Sequence, residues 1–189
     1  MKVTSRMSLS LFLIIIVFLF LVSCSGIVGP ELQLDLEEDI YVYLDVPYEK
    51  YVGTNWCLPA SGAMIFKYYG LDITQIEIAN KVIENGNSSV YKFIIFAKNL
   101  GFNAEYKYRT IKEIKDLLKQ DIPVIAIQSY SLTISNAHAR VIIGYDDENQ
   151  EIIINDPVIG KDYKISYTNF LALNLDSGFD KCKVIIIFP

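Results

Sequence analysis

The chain has 189 residues, with 17 basic and 22 acidic side chains, one histidine and three cysteines. That length holds one domain with a sizeable core, and the excess of acid over base is the wrong sign for holding nucleic acid through its phosphates, so no nucleic-acid partner is expected. One histidine and scattered acids supply no metal-ligand cluster, and no metal or other cofactor is expected.

Lys2 and Arg6 precede an unbroken apolar run from Leu11 to Val22. Its 12 residues fall short of the roughly 18 that span a bilayer and suit the apolar centre of a secretory signal peptide. The run ends in Leu21-Val22-Ser23-Cys24, which resembles a bacterial lipobox, where a small residue precedes a cysteine whose thiol takes diacylglycerol. The resemblance implies a lipoprotein signal peptide over residues 1–23 and a mature chain that starts at Cys24. Its lipid would hold it in the bacterial cell envelope, on the outer face of a membrane. The mature part keeps 166 residues, with 15 basic and 22 acidic side chains. Residues 24–39, with Gly29-Pro30 and Glu37-Glu38-Asp39, read as a lipidated acidic tether, and residues 40–189 as one globular domain.

Within that domain Ile40 to Val46 alternates like a strand, and Pro47 to Trp56 reads as a loop. Cys57 to Tyr69 is predicted helical, with Pro59 pre-set in the first turn, small residues from Ala60 to Ala63 on the packing side and Gly70 as the stop. Thr74 with Glu77 is a capping box for a second helix running to about Glu84. Ser89 to Leu100 is a third helix ended by Gly101, and Thr110 with Glu113 caps a fourth that stops before Pro123. After that the period becomes that of strands: Val124–Tyr130, Ala139–Tyr145, Glu151–Asn155, Tyr163–Tyr167 and Val184–Phe188. Asp146 to Gln150 is the hairpin turn between the second and third of these. Helices first and an antiparallel sheet afterwards make an α+β domain.

The chemistry lies in three residues. Cys57 would open a helix, where unpaired N–H groups and the positive end of the helix dipole favour thiolate over thiol. The alternative for Cys57 is a disulfide with Cys182, since Cys24 is given to lipid. His138 follows 81 residues later at the start of a predicted strand, and its imidazole can take a thiol proton and return it to a leaving amine. Asp156 lies 18 residues further on, across the hairpin, where a carboxylate would hold the imidazole in one tautomer. Asn155-Asp156-Pro157 also suits a plain turn, and the two roles are compatible.

These residues carry a resemblance that covers nearly all of residues 45–189. The matching stretches are Asp45-Val46-Pro47-Tyr48, Asn55-Trp56-Cys57 with Pro59-Ala60-Ser61, Tyr68-Tyr69-Gly70, Leu100-Gly101-Phe102, Asp121-Ile122-Pro123-Val124, His138-Ala139 with Ile143-Gly144-Tyr145-Asp146, and Asn155-Asp156-Pro157. In their order and spacing they resemble the bacteriocin-processing, double-glycine leader peptidases, a family of papain-like cysteine peptidases. The resemblance implies a papain-like fold, with Cys57 as nucleophile, His138 as general base and acid, and Asp156 as the residue that orients His138. Two positions depart from the family. Tyr51 stands where it usually has an oxyanion-binding glutamine, six residues before the nucleophile, and Leu58 where it has glycine. Tyr51, Asn55 and the backbone N–H of Cys57 are the groups left for the oxyanion region. The expected activity is therefore a thiol peptidase acting on a peptide or protein, held to the membrane through lipid on Cys24, and a monomer. The alternative is a catalytically silent peptidase fold that binds peptides or partners at the surface.

Overall fold

In the computed structural model, which describes residues 40–174 and 180–189, both predicted capping boxes are formed. The expected signal peptide and tether, Cys24 included, lie outside the described residues. Thr74 opens helix α2 (Gln75–Val82): its hydroxyl accepts from the Glu77 N–H, and the Glu77 carboxylate accepts from the Thr74 N–H at 2.9 Å. Thr110 and Glu113 repeat the exchange at helix α4 (Ile111–Leu118). Helix α1 (Cys57–Tyr68) and helix α3 (Val90–Asn99) pack through aromatic rings. Phe66 lies 6.0 Å from Phe93 and 5.4 Å from Phe102, centroid to centroid.

The helices lead into an antiparallel sheet of seven strands among the described residues. Strand β1 (Tyr41–Tyr43) is followed by a two-residue hairpin of β2 (Ile83–Glu84) and β3 (Asn87–Ser88), which stands apart from the sheet. The others are β4 (Asn103–Thr110), β5 (Val124–Ser129), β6 (Ala137–Asp146), β7 (Glu151–Asp156), β8 (Gly160–Ser166) and β9 (Lys181–Phe188). Their order is β4-β9-β5-β6-β7-β8, with β1 beside β6. The central strands are apolar on both faces, as a sheet covered on both sides requires: Val124 to Ala126, Val141 to Ile143, Ile152 to Ile154 and Val184 to Ile187 are all buried.

Four elements differ from the sequence expectation. The strand expected over Ile40–Val46 is paired only over Tyr41–Tyr43. Helix α2 stops at Val82 because Asn85 and Gly86 adopt positive φ and turn the chain back as the β2–β3 hairpin. Strand β4 was not anticipated, although Ala104, Tyr106 and Tyr108 alternate with Glu105, Lys107 and Arg109; it is a sheet edge whose side chains are mostly exposed or half-buried. Tyr167 begins not the end of a strand but a short helix, α5 (Tyr167–Ala172), whose cap Ser166 accepts from the Asn169 N–H.

One irregularity positions the site. From the hairpin turn inward, β6 and β7 pair Asp146 with Glu151, Tyr145 with Ile152 and Gly144 with Ile153, but then Ile142 with Ile154 and Val141 with Asn155. Two residues, Ile143 and Gly144, stand against one, which is a β-bulge. Continuing the register by one step puts Arg140 opposite Asp156 and His138 on the diagonal, all on one face. Beside the bulge β1 presses so closely that a Cβ on Gly144 would meet the Val42 carbonyl oxygen at 2.2 Å.

Candidate active site

Cys57 is the first residue of α1, and the residue before it, Trp56, offers no side-chain cap to the first-turn N–H groups. Those groups have no partner within the helix and face the end where the thiol stands. The approach to Cys57 is built from small, specific contacts. Asn55 takes φ of 62°, a conformation that asparagine tolerates better than most residues. Its amide donates to the Gly86 carbonyl at 3.1 Å, and its own carbonyl accepts from the Ser88 hydroxyl at 3.0 Å, which staples the β2–β3 hairpin to the cleft. Gly53 lets the Trp56 indole lie flat on the backbone, since a Cβ there would meet the ring at 2.4 Å.

Gln75, which the sequence reading passed over, fixes the loop one turn earlier. Its side-chain oxygen accepts from the Val52 N–H at 3.0 Å, and its amide donates to the Lys50 carbonyl at 2.9 Å and to the Glu49 carboxylate at 3.0 Å. Glu49 in turn pairs with Lys67 of α1. Tyr51, between these anchors, donates its N–H to the Pro157 carbonyl at 3.2 Å, so the loop is tied to the residue after Asp156.

His138 is buried at the start of β6, and its Nε2 lies 3.0 Å and 3.1 Å from the two carboxylate oxygens of Asp156. The other ring nitrogen, Nδ1, is left for the Cys57 thiol, which lines the same cleft as His138. The Tyr130 ring stands edge-on to the imidazole at 5.3 Å. Asp156 is fully buried, and its Oδ1 also accepts from the Val158 and Ile159 N–H groups at 2.8 and 3.1 Å, the turn expected at this position. Its neighbour Asn155 donates to the Val46 carbonyl at 2.9 Å, locking β7 to the segment after β1.

The electrostatics follow from these contacts. Burial pushes the Cys57 thiol up, but its hydrogen bonds to His138 and to the Ala139 and Leu58 N–H groups outweigh that and leave it below the ordinary thiol range. Burial disfavours charge on His138, yet Asp156 and Cys57 draw its proton affinity above the ordinary value. Burial likewise opposes ionisation of Asp156, and the His138 hydrogen bond reverses it, so the carboxylate is favoured. The group can therefore hold a thiolate, an imidazolium and a carboxylate in a row. Cys182 lies elsewhere on β9 as a free, buried thiol that burial pushes up to about 12, and Cys57 is also free, so the disulfide alternative is not realised.

Two hollows of about 520 and 380 Å³ meet at Cys57 and His138, making one cleft with two lobes. Asn55 and Asn136 line both. The larger lobe is closed by Asn87 and Ser88 of the hairpin, and the smaller by Tyr51, Trp56, Tyr130 and Ile134. Among the described residues no lysine, arginine, aspartate or glutamate lines either lobe. Of the oxyanion candidates, Tyr51 lines the smaller lobe, while Asn55 spends one amide hydrogen on Gly86. Among the described residues no group of three His, Cys, Asp or Glu is placed to hold a metal.

The sequence pattern of the Peptidase_C39 like family matches residues 43–174. The chain belongs to that family. The papain-like fold agrees: a C39-like peptidase of Bacillus anthracis superposes with a TM-score of 0.64 at 19% identity, over 80% of this chain and 98% of that one. The peptidase domain of Streptococcus ComA, a bifunctional ABC transporter of a quorum-sensing pathway, gives 0.59 at 21% identity, over 75% and 97%. A double-glycine-motif protease from an AMS/PCAT transporter, in complex with its leader peptide, gives 0.58 at 24% identity, over 78% and 94%. None of the curated protein sequences matches this chain. In this C39-like chain the family match takes in Cys57, His138 and Asp156 together.

Proposed function

We propose that this C39-like domain is an active cysteine peptidase, with Cys57, His138 and Asp156 as its catalytic set, acting on a peptide or protein. The observation that carries the reading is the alignment of three groups: a thiol at a helix N-terminus, an imidazole beside it on the wall of the same cleft, and a buried carboxylate 3.0 Å from the imidazole Nε2. The Cys57 thiolate attacks the scissile carbonyl carbon, the carbonyl π pair moves to oxygen, and the oxyanion forms against the N–H groups at the start of α1. As the C–N bond breaks, His138 gives its proton to the leaving amine, leaving a thioester on Cys57. Neutral His138 then takes a proton from water, whose oxygen displaces the thiolate and releases the acid. Asp156 stays ionised throughout and holds the imidazole ring. The lipobox-like Leu21 to Cys24 supports lipid anchoring on the outer face of a bacterial membrane, which would place the substrate outside the cytoplasm.

Iodoacetamide labelling of Cys57 across pH, read by mass spectrometry in the wild type and in His138→Ala, tests the site without a substrate. Fast labelling well below the free-thiol midpoint of about 8.5, lost in His138→Ala, is the expected result. Slow labelling that is indifferent to His138 would favour the second reading, a silent fold that binds peptides in the uncharged cleft. The committed amide of Asn55 and the tyrosine at position 51 are what support that second reading.

A further inference from the structure

Arg140 is the largest fully buried side chain among the described residues, and the mechanism above does not use it. The strand that carries it is otherwise apolar here: Ala139, Val141, Ile142 and Ile143 are all buried, with Ile142 on the face of Arg140 and Ala139 and Val141 on the opposite one. A guanidinium sunk among such residues is costly unless paired, and replacing a buried ion pair by well-packed apolar groups is often neutral or stabilising. Stability alone therefore gives little reason for arginine here.

The contacts of Arg140 are directed at His138's own supports. Two residues along one strand, Arg140 and His138 share a face, and the bulged register sets Arg140 opposite Asp156. Its Nε lies 3.4 Å from Asp156 Oδ2 without an aligned hydrogen bond, and its NH2 group donates to the Ser129 and Tyr130 carbonyls, each at 3.1 Å. Asp156 and Tyr130 both touch the imidazole, the first through Nε2 and the second through its ring. One buried cation thus grips both.

We propose that Arg140 is a positioning residue of this site: it fixes the Asp156 carboxylate and the Tyr130 backbone behind His138, and it shares the Asp156 charge so that His138 can release its proton to a leaving amine. A fully buried carboxylate facing imidazolium alone would hold that proton tightly and make it a poor acid; a second cation on the same carboxylate loosens the hold. The other ionisable groups facing Arg140 and Asp156 are Cys57 from α1, Cys182 from β9, Tyr163 from β8 and Tyr48 from the loop after β1. Cys182 is kept neutral by burial, so Cys57 is the thiol whose charge changes with that of His138.

The proposal rests on the catalytic reading of Cys57, His138 and Asp156, but its test does not need that reading to hold. The chain has one histidine, so the imidazole signal in an NMR pH titration of the purified protein belongs to His138 without assignment. In Arg140→Met and Arg140→Gln the His138 midpoint is expected to move up by about one pH unit. In Arg140→Lys, which keeps a charge but not the fork, it is expected to stay within about 0.3 of the wild type. An unchanged midpoint in a folded neutral variant overturns the proposal, and so does a full upward shift in Arg140→Lys. If the neutral variants do not fold, Arg140→Lys still tests the proposal, since a full upward shift in it overturns the charge-sharing. Iodoacetamide labelling that ignores His138, alongside a midpoint that still follows the charge at 140, would remove the catalytic reading and leave the charge-sharing intact.

Discussion

Cys57 and His138 are held in different ways. The thiol stands at the end of a loop, residues 47–56, with no regular structure, pinned at separate points by Gln75, Glu49 with Lys67, and the Asn55 staple to Gly86. The imidazole and its carboxylate stand within paired strands, where every backbone step is fixed by a neighbour and the core is apolar on both faces. The contrast teaches that the imidazole half of the site is set by register, which changes all at once, while the thiol half is set by a few polar contacts, each of which can be loosened alone.

That difference can be broken from either side. His138→Ala should have the largest effect, slowing iodoacetamide labelling of Cys57 at pH 6 by about a hundredfold, since the thiol then loses the cation that keeps it ionised. Gly144→Val attacks the sheet side: the new side chain must displace the Val42 backbone, so urea unfolding should show a loss of about 3 kcal/mol, with labelling slowed as well. Gln75→Leu attacks the loop side by leaving the Val52 N–H and the Lys50 carbonyl without their partner. It should cost about 2 kcal/mol and slow labelling several-fold, while the NMR midpoint of His138 holds, because the strands are untouched. Asn55→Gly keeps the positive φ and the backbone carbonyl that Ser88 donates to, and removes only the side-chain bond to Gly86, so labelling should slow by about threefold with a loss of about 1 kcal/mol. Thr110→Ala, at a cap remote from both halves, should cost about 1 kcal/mol and leave labelling unchanged.

The parts of the fold that could be read in the sequence are those written in local chemistry. Thr74 with Glu77, Thr110 with Glu113, and Gly70 and Gly101 at helix ends all act where they stand, and each is found in the expected place. Strand β4 does carry a two-residue period, Ala104, Tyr106 and Tyr108 against Glu105, Lys107 and Arg109, but as an edge strand it buries only Ala104 fully, and the period was passed over. Helix α5 is short, and its serine cap was hidden by the strand-like run before it. In the site, Cys57, His138 and Asp156 were legible as residue types in a chain order, and the structure brings them together. Arg140 and Gln75 were not, because each acts across the fold, on Asp156 and on the Val52 segment, and nothing in the residues beside them announces the partner.

The extra residue at Ile143 works like a shift of reading frame. In the observed frame even-numbered residues from His138 to Ile142 look toward Asp156, whereas beyond the bulge an odd-numbered one, Tyr145, shares their side. A neighbouring frame is only one residue away: admit Ile143 to the ladder and Val141 comes to lie opposite Asp156, with His138 and Arg140 turned to the other face. That frame would mend the ladder, yet it would strand a guanidinium inside the protein without its carboxylate, at a cost of several kcal/mol. The same arginine that steadies Asp156 thus keeps the hairpin from settling into the frame in which there would be no site.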